Sequence, residues 1–381
     1  MFIDSILLKN FRNINELKLK SSSKLNIFIG NNGQGKTNIL EAIYFLLEKS
    51  SFRYGQNINY IQNNNEQSLL VAKLKSSDFE ATVKLNLLPE KKIHLVNDKI
   101  SSQFKDKIPT TILFSPDSLN IIKESADHRR KLIDSVVKSI YKNNDFIITD
   151  FLKILKMRNK ILKDISESKI SFNEGFKTLD SINEIFLKKS TDLTSIRIEV
   201  LRKLKNSVTE ILNSIEQNKE SVFNFIYTIS DINSEKFNYE QIYQLMQKRM
   251  AELRQAEVKI GASLVGPQKH DVIFLYNGND SRFYCSQGQQ RSIILAFKMA
   301  QIVYHHKVNG NYPILLLDDV LSELDQTKQE ALIKYLNTIE AQTFLTTTDL
   351  KSLSGLSIDE KYKFEIHDGN IKTYENESFT R

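Results

Sequence analysis

Two short stretches carry the residue types that handle phosphate. The first is Gly30-Asn31-Asn32-Gly33-Gln34-Gly35-Lys36-Thr37, which fits the pattern G-x-x-x-x-G-K-[ST]. Glycines at these positions let backbone N–H groups converge on phosphate oxygens at a helix N-terminus. Lys36 is the residue to reach the β- and γ-phosphates, and the Thr37 hydroxyl is suited to complete a Mg²⁺ shell. The second is Ile314-Leu315-Leu316-Leu317-Asp318-Asp319, an apolar run ending in paired carboxylates. A carboxylate at the end of a buried strand suits a metal ligand, the role given to Asp318. Asp319 follows it as the group to orient or deprotonate an attacking water. No Asn-Lys-x-Asp motif for reading guanine is present; Asn159-Lys160 and Asn218-Lys219 both lack the Asp, which favours adenine.

Such a loop works only between a strand and a helix. Leu25, Ile27 and Ile29 precede it with strand-like alternation, and Ile39, Leu40, Ile43, Phe45, Leu46 and Leu47 follow at helical spacing. Strands are also expected at Phe2–Lys9, Leu17–Ile29, Leu69–Leu74, Glu80–Leu87, Ile93–Val96, Val272–Tyr276, Arg282–Cys285, Ile314–Leu317 and Thr343–Thr346. Between Pro116 and Pro267 there is no proline, and Gly175 is the only glycine before Gly261. So few breakers permit long helices. One is expected from near Asp127 to Asp164, with a reversal up to Gly175. A second is expected from Leu179 to Ile215, with Lys189 interrupting its apolar seam. The expected fold is α/β: a head built from 1–112 and 263–381, with a helical insert at 113–262 containing a helix hairpin.

Composition narrows the class. The 381 residues carry 53 Lys plus Arg against 46 Asp plus Glu, a net charge of +7, with 40% hydrophobic residues and one cysteine. An intramolecular disulfide is therefore impossible, which fits a reducing, cytoplasmic setting. Neither an apolar run of membrane-spanning length nor a signal-peptide pattern occurs. Residues 118–260 hold 25 basic and 20 acidic side chains, so they supply +5 of the +7. Lys153, Lys156, Lys160 and Lys163 share one helix face, and Arg158 adds a fifth basic residue. Such a stripe either neutralises DNA backbone phosphates or is a solvated face. Arg53 is likewise a DNA candidate or a structural ion pair. The six histidines show no metal-ligand spacing.

Further motifs carry a resemblance. Ser286-Gln287-Gly288-Gln289-Gln290-Arg291 resembles the signature of ABC-type ATPases, and Ser322-Glu323-Leu324-Asp325 looks like their D-loop. Within that superfamily the chain resembles the RecF family. The likeness rests on Leu8-Lys9-Asn10-Phe11-Arg12-Asn13, Gly30–Thr37, Ser51-Phe52-Arg53, Phe114-Ser115-Pro116-Asp117, Arg129-Arg130 with Asp134, Gly266-Pro267, and Thr346-Thr347-Thr348-Asp349. The resemblance implies an ABC-type P-loop head using ATP and Mg²⁺. In such sites Ser286, Gly288 and Gln289 of one subunit complete the nucleotide site of another, so ATP drives homodimerisation. It implies a weak ATPase that clamps DNA at single-strand gaps and, with RecO and RecR, helps load RecA in recombinational repair. The family's usual Gly-Pro-His-Arg-Asp-Asp is here Gly266-Pro267-Gln268-Lys269-His270-Asp271, and no switch histidine follows the last core strand, leaving Thr347 or Thr348. Two other readings fit less of the pattern: a nucleotide-gated protein adaptor with little hydrolysis, and a transporter-type ATPase subunit.

Overall fold

The computed structural model describes residues 1–100, 108–140, 145–217, 220–349, 353, 355–356 and 360–378. They fall into two compact units, Met1–Leu119 with Ile302–Arg381, and Asn120–Gln301.

The first unit is two sheets around one helix. Strands β1 (Phe2–Phe11), β2 (Ile14–Lys20), β4 (Ser68–Lys75), β5 (Glu80–Leu87), β6 (Lys92–Val96) and β7 (Lys99–Ile100) form an antiparallel sheet in the order β2-β1-β4-β5-β6-β7. The second sheet holds β3 (Leu25–Ile29), β8 (Thr111–Phe114), β13 (Ile314–Asp318), β14 (Thr343–Thr347), β15 (Glu360–His367) and β16 (Asn370–Ser378), in the order β16-β15-β3-β14-β13-β8. Its strands run parallel except for the β15–β16 hairpin. Helix α1 (Lys36–Glu48) packs on both sheets, so its apolar residues are buried nearly all round rather than along one stripe. Every residue of β13 is buried, as suits a central parallel strand. Short helix α2 (Pro116–Leu119) and helix α9 (Gln326–Thr338) complete the unit.

The second unit contains α3 (Ala126–Ile140), α4 (Asp145–Ser166), the 45-residue α5 (Phe172–Glu216) and α6 (Tyr239–Ile260). A sheet of β9 (Phe223–Ile229), β10 (Ile232–Asn233), β11 (Asp271–Tyr276) and β12 (Asn279–Asp280) follows the order β10-β9-β11-β12. Then come α7 (Ser281–Tyr284) and the start of α8 (Gln287–Asn309). The α4–α5 pair is the expected hairpin, with Lys189 at its seam held by Asp150 at 3.1 Å. Among the described residues no helix is long and apolar enough to cross a membrane.

Four expectations change. Leu17–Ile29 is two strands in different sheets, because Ser21 and Ser22 turn the chain by hydrogen-bonding Ile3 O and Asn26. The helix expected at Asp127–Asp164 is two, α3 and α4, with 141–144 outside the described residues. Gly175 lies inside α5 rather than at the reversal, since Ser171 caps the helix ahead of it by accepting from the Glu174 N–H at 3.3 Å. Arg282–Cys285 is not a strand: Asp280 accepts from the Arg282 N–H and starts a helical turn at Ser281. The unit boundaries move accordingly. Residues 263–301 belong with the insert, because β11 completes a sheet with β9.

Candidate functional site

The phosphate loop joins β3 to α1 as its spacing predicts. Gly35 caps the helix at φ +105°, a left-handed conformation that a side chain would strain. At Gly30 a Cβ would come within 2.4 Å of the Ile366 carbonyl oxygen on β15, so only glycine fits there. Asn31, Asn32 and Gly33 stand exposed at the tip. Lys36 is buried, with Nζ donating to the Gly30 carbonyl at 2.6 Å and the Asn31 carbonyl at 2.9 Å. Burial lowers its pKa, against the opposing pull of Asp319 and then Asp318.

The paired carboxylates stand where the sequence reading put them, at the end of β13 and within this same unit. Thr37 Oγ1 donates to Asp318 Oδ1 at 2.8 Å. Thr346 Oγ1, at the adjoining end of β14, donates to the same oxygen at 3.0 Å and also accepts from the Asp319 N–H at 2.9 Å. Burial raises the Asp318 pKa, partly offset by the two hydroxyl donors. Hydroxyl and carboxylate oxygens on a buried floor beneath a phosphate loop fit Mg²⁺, which takes few protein ligands and keeps waters and phosphate oxygens for the rest. Asp319 is half-buried and turns at φ +48°, its carbonyl accepting from Ser322 Oγ at 2.7 Å.

Several participants escaped the sequence reading. The polar group on Asp318 is Thr346, while Thr347 Oγ1 donates to the Asp349 carbonyl at 2.9 Å. The signal available was register: Asp318 and Thr346 are opposed in neighbouring parallel strands. Gln34 is clasped by the β15–β16 turn, its side-chain oxygen accepting from the Asp368 N–H at 2.8 Å and its carbonyl from the Gly369 N–H at 2.9 Å. Glu41, fully buried on α1, takes two bonds from Arg12 at 3.0 and 2.8 Å and one from Ser51 at 2.6 Å. Arg53 joins this group, 3.5 Å from Glu41 and bonded to Asn38 Oδ1 at 2.9 Å. The ion pair of Arg53 is thus present, with its side chain still 44% exposed.

The signature residues lie in the other unit. Ser286 is exposed at the head of α8, where its Oγ accepts from the Gln289 N–H at 3.2 Å and its own N–H donates to Gln289 Oε1 at 2.9 Å. This reciprocal cap leaves Gly288 in the first turn, its carbonyl accepting from Ser292 Oγ at 3.2 Å. The support behind it is ionic: Asp271 takes a bidentate pair from Arg129 at 2.9 and 2.8 Å, and Arg282 reaches both Asp271 and Asp280. Gln290, buried, ties α8 to α7 through the Ser281 carbonyl at 2.7 Å.

The basic stripe on α4 requires one correction. Lys153, Lys156, Lys160 and Lys163 are exposed on a shared face. Arg158 is not with them. It is 1% exposed and makes a bidentate pair with Glu257 at 3.0 and 2.6 Å, plus bonds to Ser263 Oγ and Asn183 Oδ1. At 100° per residue, position 158 turns inward while 153, 156, 160 and 163 stay outward, so Arg158 cannot serve DNA.

The family model described as the RecF/RecN/SMC N terminal domain matches residues 2–106. The DNA replication and repair protein RecF of Lactobacillus johnsonii is 34% identical over 380 residues, covering 99% of this chain and all of that protein. That of Halothermothrix orenii is 32% identical with the same coverage. Among solved structures, the recombination mediator protein RecF-ATPrS of the RecFOR pathway superposes with a TM-score of 0.84 at 30% identity, over 97% of each chain. An SMC head bound to the C-winged helix domain of ScpA reaches 0.59 at 14% identity, a likeness of fold alone.

Proposed function

The chain belongs to the RecF family of DNA replication and repair proteins, and from that membership we propose that it is an ATP-gated clamp on DNA. The observation that carries the nucleotide part is the convergence of Thr37 and Thr346 on the buried Asp318 carboxylate, beside Lys36 held in its loop. Gly30 to Thr37 would bind the triphosphate, and Thr37 and Asp318 would hold Mg²⁺. The ion, when bound, supplies neutralising charge for the β- and γ-phosphate oxygens. Asp319 is the group to orient the attacking water and accept its proton. A related solved protein carries ATP in its name, RecF-ATP of the RecFOR pathway, which supports the same nucleotide here.

Ser286, Gly288 and Gln289, exposed or half-buried at the head of α8, would complete the site of a second copy. A helix N-terminus with a free hydroxyl face suits a γ-phosphate. ATP would thus close a homodimer on DNA and slow hydrolysis would release it, with RecO and RecR as partners in loading RecA at gaps, in the cytoplasm at the nucleoid. The outward lysines Lys153, Lys156, Lys160 and Lys163 are DNA contacts in this reading, with Arg53 secondary.

The test is sedimentation of Asp319→Asn with a fluorescent gapped duplex, in ATP and in ADP. A DNA-bound dimer with ATP alone is expected. Monomers and free DNA in both nucleotides would sink the clamp and leave a nucleotide-gated protein adaptor. Ser286→Arg should bind ATP as a monomer and fail to dimerise.

A further inference from the structure

Two aromatic ledges are held out into solvent, one just before Ser286 and one beside the phosphate-loop helix. On α7, Phe283 and Tyr284 are 76% and 74% exposed, two or three residues before Ser286. Their backbone is pinned rather than loose. Asp280 caps the turn, Ser281 Oγ donates to the Phe274 carbonyl at 2.8 Å, and buried Gln290 donates to the Ser281 and Cys285 carbonyls at 2.7 and 3.3 Å. In the ATPase unit, Tyr54 is fully exposed. Its neighbours are fixed too: the Tyr60 hydroxyl lies 3.1 Å from both the Arg53 and the Gly55 carbonyls. Arg53 is bonded to Asn38, the residue after Thr37, so this ledge stands at the rim of the phosphate-loop helix.

Singly exposed aromatics are ordinary; these two ledges stand out because each is held on a fixed backbone, one just before Ser286 and one at the phosphate-loop helix. We propose that Phe283 and Tyr284 of one copy close on Arg53 and Tyr54 of a second copy, forming an aromatic seal at the rim of each composite site. The inference rests on the reading that Ser286 of one copy meets the phosphate loop of another, since that pairing brings the two rims together. The chemistry matches: ring against ring, with a guanidinium available to lie over a ring. Arg282 already shows that geometry within the chain, 5.3 Å over the Phe283 ring. A seal of this kind would shield the site from bulk solvent while the dimer is closed, leaving the single attacking water to Asp319.

Cys285 is the only thiol, which makes the test direct. Tyr54→Cys adds a second, and a short bismaleimide should link it to Cys285 of the other copy, giving a band of twice the chain mass with ATP and not with ADP. The wild-type chain, carrying Cys285 alone, sets the background. In parallel, the Phe283→Ala/Tyr284→Ala variant should bind ATP as a monomer like wild type while its ATP-dependent dimerisation weakens about tenfold or more. If Tyr54→Cys dimerises by sedimentation yet gives no ATP-dependent link, the seal is wrong. The same follows if the double alanine variant dimerises with wild-type affinity while Ser286→Arg does not, and the composite site then stands without it. If the wild type fails to dimerise with ATP, both fall together.

Discussion

Asp318 and Glu257 are both buried carboxylates, and the fold treats them oppositely. Glu257, in the insert, is neutralised by Arg158 and also accepts from the Leu264 and Val265 N–H groups at 2.8 and 3.3 Å. Asp318, beneath the phosphate loop, is bonded to two hydroxyls, and among the described residues it is ion-paired to none. Burying a charge is costly unless it is matched. The insert has met that requirement with its own side chains and gained a rivet through α4, α5 and α6. At Asp318 two neutral hydroxyls stand where a counter-charge would, which is the arrangement the proposed Mg²⁺-ligand role calls for. The difference separates structural from functional acids better than burial does.

Removing one member of the rivet should have the largest effect. Glu257→Leu strands the Arg158 charge, and urea unfolding should register a loss of about 3–5 kcal/mol. Arg158→Leu together with Glu257→Leu should recover most of it. Asp318→Asn should do the reverse: leave unfolding stability unchanged or slightly raised, because burial already disfavours the charged form, while titration calorimetry shows Mg²⁺–ATP binding weakened by about 10- to 100-fold. An equal stability loss at both sites would end the contrast.

A third buried group is intermediate. His270 sits with Nδ1 3.2 Å from the Tyr227 hydroxyl, and burial, then Arg197 and Arg130, hold its pKa well below the usual histidine range. The folded imidazole stays neutral while the unfolded chain takes up a proton below about pH 6.5, so stability is full above that pH and falls as pH drops. Denaturation midpoints between about pH 7 and pH 5 should show this as up to about 1.4 kcal/mol per pH unit, absent in His270→Gln. The smallest effect belongs to the outer face of α4. Lys156→Gln with Lys160→Gln should change stability by under about 0.5 kcal/mol, yet lower the slope of log DNA affinity against log salt by about 1.8. Arg158, between those lysines, should behave as a core residue.

Local chemistry was legible in the sequence; long-range pairing was not. The loop Gly30–Thr37, the carboxylates and the long helix follow from spacing and from the scarcity of breakers. Thr346 was hidden because its role depends on the register of β14 against β13, and the sequence offered three consecutive threonines. Arg158 was misplaced because its partner Glu257 lies 99 residues away and no local pattern marks a buried arginine. The strand expected at Arg282–Cys285 failed to an N-cap: one Asp280 side chain outweighed a short run of aromatic residues.

The clasp on Gln34 bears on how the protein is born. Gln34 and its partner Asp368 are 334 residues apart, and Asn26 of β3 reaches Thr343 of β14 across 317. Translating that interval takes roughly 20–70 s at usual rates. Throughout it the phosphate loop leaves the ribosome without the strands that shape it, whereas the insert, continuous in sequence, can fold first. The nascent chain is therefore blind to nucleotide until its last parallel strand docks, and the loop becomes competent in one late step.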